Sequence, residues 1–233
     1  MCEACAVDKP FLTVAVFVVT AVPSLLQFVI PGLEPALMRD PAAIAGGEWW
    51  RLGTALVVQD GGVLGTLFNL GFLAVLGYVA ERALGPARWA VLYLSGAVVG
   101  EAAGFLLDQP GAGNSVALCG LAGGLVLVGG AERVSYERAL GAFYAVVSGA
   151  WLPAASGDTW GWVVTVVLVV AASQLVARRE SLPGWLPVAV FGVAAVVLMA
   201  LRDLHGFALL GGLAVGWISN ARFPLLPGRT SPA

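Results

Sequence analysis

Eight stretches of this chain are apolar and almost free of charge: residues 11–31, 64–80, 89–107, 115–131, 140–153, 160–177, 185–201 and 205–218. A crossing of the bilayer hydrocarbon takes about 20 apolar residues, with a range of roughly 17–25. In lipid, only helices and closed barrels satisfy every backbone polar group. Most of these stretches have the length of a helical crossing; the fifth and the last are short. The expectation is an all-α fold, a polytopic transmembrane helical bundle with six to eight spans. Composition agrees. Hydrophobic residues make up 59% of the chain and charged residues 11%, against about 25% charged in an ordinary soluble domain. Mean hydropathy is +0.90, and the 31 glycines suit close helix packing in a bilayer.

Orientation follows from where Lys and Arg fall rather than from the formal charge of −2. With the N-terminus inside and eight crossings, the inner segments hold Lys9, Arg82, Arg88, Arg133, Arg138, Arg178, Arg179, Arg222 and Arg229. The outer segments hold Arg39, Arg51 and Arg202. The expected organisation is a cytoplasmic tail over 1–10, a membrane domain over 11–222 with an outer loop at 32–62, and a C-terminal tail over 223–233. The tail carries Glu3, Asp8 and Lys9 and reads as cytoplasmic rather than as a signal peptide. Arg outnumbers Lys in a chain rich in Ala, Gly and Val, which points to a bacterial plasma membrane.

Trp49, Trp50, Trp89, Trp151, Trp160, Trp162 and Trp185 lie near span ends, as an interfacial belt would. Cys2 and Cys5 form a lone Cys-x-x-Cys without a second ligand pair, so no metal is expected there. Cys119 lies within a span and reads as a small hydrophobe. No cofactor and no nucleic-acid partner are expected. Glu101, an acid within the third span, requires a partner that the sequence does not name.

The chemistry-bearing residues are few. Ser115 opens the fourth span and the only histidine, His205, opens the eighth. With three crossings between them, both start at the outer face. A serine hydroxyl needs an adjacent base to act as a nucleophile, and histidine is the usual base because imidazole titrates near neutrality. A serine at a helix start also has backbone N–H groups and the positive dipole end beside it. His205, Ala208, Gly212 and Gly216 recur at i, i+3, i+7 and i+11, on one helix face. Gly120, Gly123 and Gly124 offer a matching small surface. Each residue also has an ordinary reading: Ser115 as a helix cap, His205 as an interfacial side chain, Asn69 as a polar bridge between helices.

From Trp50 onward, ordered motifs are similar to those of the rhomboid family of intramembrane serine proteases. They are Trp50-Arg51; Asn69 in Leu67-Phe68-Asn69-Leu70; Gly77-x-x-x-Glu81-x-x-x-Gly85; Gly113-Asn114-Ser115-Val116, followed by Gly120; and His205-Gly206-Phe207-Ala208, followed by Gly212 and Gly216. The resemblance covers about residues 47–218. It implies a Ser115–His205 dyad, an oxyanion held by Asn69 and the Ser115 N–H, no acidic third member, and transmembrane protein substrates. Trp50, Arg51, Gly113, Gly120, Gly212 and Gly216 would support the site, with Arg51 organising the outer loop and Glu81 and Arg82 fixing the turn between the second and third spans. Three positions depart from the pattern. Val116 stands where the nucleophile motif has Gly and is expected to crowd the oxyanion site. Gly65 stands where many members have a His. Ala208 replaces the first Gly after the histidine, and a register placing Leu209 at the histidine position would leave the site without a base. The alternative is therefore an inactive scaffold, as derlins are similar to rhomboids without the catalytic pair. A small transporter or channel is a weaker third reading, resting on Glu101 alone.

Overall fold

A computed structural model describes residues 10–129 and 134–222, the last three by backbone only. Cys2, Cys5, Lys9, Arg133, Arg229 and the segment 223–233 lie outside the described residues. Among those described, the fold is all-α. Short helices α2 (Leu33–Leu37), α3 (Pro41–Ala45) and α4 (Arg51–Thr54) build the predicted outer loop. The bundle comprises α1 (Phe11–Leu26), α5 (Gly62–Leu84), α6 (Pro86–Leu106), α7 (Ser115–Leu125), α8 (Tyr136–Val147), α10 (Thr159–Ala177), α11 (Leu186–Ala200) and α12 (Leu204–Arg222). A single turn, α9 (Trp151–Ala154), joins α8 to α10.

Each expected span thus contains a helix, with shifted ends. α5, α6 and α10 are long and apolar enough to cross a membrane, while α1, α7, α11 and α12 are shorter apolar helices. The serine helix is much shorter than expected. Residues 115–131 read as a full span, yet α7 stops at Leu125, and Gly129 turns the chain with φ +83. At 1.5 Å per residue its 11 residues extend about 16 Å, roughly half the hydrocarbon thickness. Every residue from Val116 to Leu125 is buried, with α5, α6, α8 and α12 packed around them. A short helix is stable at this depth because protein, not lipid, surrounds the irregular backbone at its ends. The fifth span, expected at 140–153, starts earlier because the Ser135 side chain accepts a hydrogen bond from the Arg138 N–H and caps α8.

Glycines set the central packing. α6, α7 and α12 meet with almost no side chain between them. A Cβ at Gly212 would lie 2.6 Å from Gly120 Cα, and one at Gly216 would lie 3.2 Å from Gly124 Cα. Gly96 faces Gly120 from α6 in the same way. Such backbone contact is what holds helices together where lipid supplies no hydrophobic drive.

Two expectations are corrected here. Trp89 is not interfacial: it is 1% exposed, donates Nε1–H to the Gly77 carbonyl at 2.9 Å and stacks on Tyr93. Glu81 does not fix the α5–α6 turn. Its carboxylate accepts from the Leu12 and Thr13 N–H groups at 2.9 and 2.7 Å, capping the free N-terminus of α1. Gly85 (φ +80) and Pro86 at the first position of α6 make that turn instead.

Candidate active site

Ser115 is the first residue of α7 and His205 the second of α12. The Gly120–Gly212 contact draws the two helices together below these residues. Ser115 Oγ lies 2.8 Å from His205 Nε2. On the other side of the ring, Nδ1 lies 2.7 Å from Asp203 Oδ1. A carboxylate only accepts, so Nδ1 carries the proton and Nε2 is left to accept from the serine hydroxyl. Leu209, the residue that the alternative register would place against the serine, is fully buried in the apolar core.

Polar groups converge on the opposite side of the serine. A Cβ at Gly113 (φ +140) would lie 3.2 Å from both Asn69 Nδ2 and Gln59 Oε1, and 3.6 Å from Ser115 Oγ. Only glycine combines that backbone angle with so little room. Asn69 Nδ2 donates to Gln59 Oε1 at 2.6 Å, so one N–H of the Asn69 amide is fixed and the other is set in direction. Gln59, fully buried, also donates to Asn114 Oδ1 and Ser24 Oγ at 3.4 and 3.3 Å, and its backbone exchanges two hydrogen bonds with the Gln27 amide. The sequence reading missed Gln59; a lone Gln in an outer loop carries no local signal of burial. The Tyr144 hydroxyl donates to the Ser115 carbonyl at 3.2 Å and ties α8 to the serine turn.

The departures look different in three dimensions. The Val116 side chain is buried. It packs against α6, where a Cβ at Gly100 would lie 2.5 Å from Val116 Cβ and 3.2 Å from Ala208 Cβ. The space opened by Gly100 accommodates both larger residues. Gly65 has open space where a side chain would stand, so Asn69 is without a neighbouring side-chain donor there.

The segment over residues 32–62 braces the same region. Arg51 donates to the Pro35 and Met38 carbonyls at 2.8 and 3.0 Å and pairs with Glu48, whereas Trp50 is 57% exposed. Arg39 is the partner of Glu101, at 2.8 Å with both side chains 4% exposed. Its Nε–H donates to the Gln109 carbonyl at 2.8 Å, and its backbone pairs with Gly111 in both directions. Gln109 Nε2 in turn donates to the Arg202 carbonyl at 2.9 Å, linking the serine loop to the turn that precedes His205.

The comparisons with known proteins agree with the motifs. Residues 46–157 match the family described as Rhomboid domain. The chain is 35% identical over 104 residues to the rhomboid protease GluP of Bacillus subtilis (strain 168), covering 44% of this chain and 20% of that protein. It is 32% identical over 106 residues to the putative rhomboid protease YdcA of the same organism, covering 42% of this chain and 53% of that protein. The chain therefore spans between a fifth and about half the length of these curated relatives. No solved structure matches it. The family match contains Trp50, Arg51, Asn69, Gly113, Ser115 and Gly120 but ends before His205, Gly212 and Gly216.

Proposed function

We propose, from the premise that this chain belongs to the rhomboid family, that it is an intramembrane serine protease cleaving transmembrane segments of other membrane proteins. The observation that carries the proposal is the 2.8 Å contact between Ser115 Oγ and His205 Nε2. Ser115 Oγ attacks the scissile carbonyl carbon while its proton passes to Nε2. The oxyanion is met by the N–H groups at the start of α7 and by the Asn69 amide, each donor typically worth about 2.7–4 kcal/mol. His205 then gives the proton to the leaving amine as the C–N bond breaks. A water, deprotonated by the same imidazole, hydrolyses the acyl-serine ester and restores the hydroxyl. Water reaches the pair from the outer face, and the N-terminus is cytoplasmic, in keeping with the Arg distribution.

A fluorophosphonate probe tests this on the purified chain in detergent and in liposomes. Labelling is expected for the wild type and absent in Ser115→Ala and His205→Ala. A wild type that stays unlabelled in both settings overturns the proposal. It favours the second reading, a catalytically inactive scaffold that binds transmembrane clients, which the open space at Gly65 supports by leaving a single side-chain oxyanion donor. Single cysteines at Pro110 and Leu201 are expected to react with an impermeant reagent from the outer side of the membrane and a cysteine at Glu180 only from the cytoplasmic side; any other pattern refutes the orientation.

A further inference from the structure

The resemblance implies a two-residue site, yet the imidazole has a second polar partner. We infer that Asp203 is a positioning residue for His205, so that this chain works with a Ser-His-Asp triad rather than with a dyad. The inference rests on the protease reading above and deepens it.

Three observations carry it. First, Asp203 Oδ1 lies 2.7 Å from Nδ1 while Nε2 faces Ser115 at 2.8 Å, so one ring is held between a carboxylate and the hydroxyl it would deprotonate. Second, the side chains are 16% exposed at Asp203 and 19% at His205, shielded enough that the contact is not dissolved by bulk water. Third, the carboxylate is itself held in place. Asp203 N–H donates to the Leu198 carbonyl at 2.8 Å, Arg202 turns the chain with φ +59, and the Arg202 carbonyl is gripped by Gln109 from the serine loop. Glu101, the acid within α6, is instead paired with Arg39 at 2.8 Å.

The division of labour is that of an orienting acid. Asp203 keeps the proton on Nδ1, leaving the Nε2 lone pair aimed at the serine. When Nε2 takes the serine proton, the carboxylate stabilises the imidazolium without taking a proton itself. The motif comparison does not expose this group, because it stands two positions before His205 at a helix start, where Asp is ordinarily a cap. It is a cap here too: the same Oδ1 accepts from the His205 N–H at 2.8 Å.

The cap and the orienting role are separable. Asn caps a helix about as well as Asp, but it carries no charge and its amide can also donate to Nδ1. Asp203→Asn is therefore expected to melt close to the wild type while its rate of fluorophosphonate labelling falls at least about 100-fold; loss of the acid in a serine protease triad can reach about 10⁴. The chain has one histidine, so imidazole ¹⁵N labelling yields one ring to assign. The wild type should show protonated Nδ1 and unprotonated Nε2 in the neutral form, and Asp203→Asn should shift the proton towards Nε2. Labelling within about twofold of wild type, with the tautomer unchanged, overturns the inference and leaves the protease reading standing. If the wild type does not label at all, that reading fails, and the spectrum decides alone: a tautomer dependent on Asp203 supports the positioning role, and one indifferent to it refutes it.

Discussion

The buried Arg39–Glu101 pair gives the sharpest test of how the segment before α5 holds the site. Both side chains are 4% exposed and their charged atoms are 2.8 Å apart. Arg39 otherwise donates through Nε to one backbone carbonyl, that of Gln109. Glu101→Gln keeps the volume and leaves the guanidinium without its countercharge. Breaking a buried pair from one side costs about 3–5 kcal/mol, and the retained amide oxygen places this variant near the lower figure. For a chain of this length, about 1 kcal/mol moves Tm by roughly 2–4 °C, so a drop of roughly 6–12 °C is expected in a detergent melt. The double variant Arg39→Met/Glu101→Met removes both charges. It should recover most of that loss, since apolar replacement of a buried pair is often neutral or stabilising. It should not recover labelling by the serine probe, because Arg39 also grips Gln109 and through it the serine loop. A single variant melting within about 2 °C of wild type, or a double variant falling as far as the single, would refute the argument that an uncompensated charge is what matters.

Two further outcomes follow from the same geometry. Gln59→Leu leaves Asn69, Asn114 and Ser24 short of a buried partner; about 1–3 kcal/mol of stability should go, with serine labelling at least tenfold slower, and unchanged labelling would remove Gln59 from any role in holding Asn69. Burial pushes the Asp203 carboxyl up, but its hydrogen bonds and charge pairing with His205 outweigh burial and hold it below the ordinary carboxylate range. A lowered folded-state value stabilises the protein above the unfolded pKa, ~3.9, and this contribution disappears as pH falls through the folded value. Melts between pH 6 and pH 3 should accordingly steepen on the acid side in the wild type and less so in Asp203→Asn; parallel curves would contradict the pairing.

Much was legible along the chain because it is one-dimensional information. Apolar runs of helical length determine an all-α bundle, since a bilayer admits little else. Counting crossings puts Ser115 and His205 at the same end, and the spacing of Gly212 and Gly216 from His205 marks the face along which two helices can touch. None of this requires knowing what lies opposite a residue. What the tertiary structure alone decided are the pairings of polar groups far apart in sequence. Glu101 finds Arg39 across 62 positions and Asn114 finds Gln59 across 55. Val116, which looked obstructive in its own motif, and Ala208 both fit because Gly100 on a third helix makes room. Asp203 drew no reading from the sequence; the turn at Arg202 sets it against the imidazole. Periodicity is local and composition is cumulative, but in a water-poor interior each buried polar atom must find a partner wherever the fold supplies one, and only the assembled bundle determines where that is.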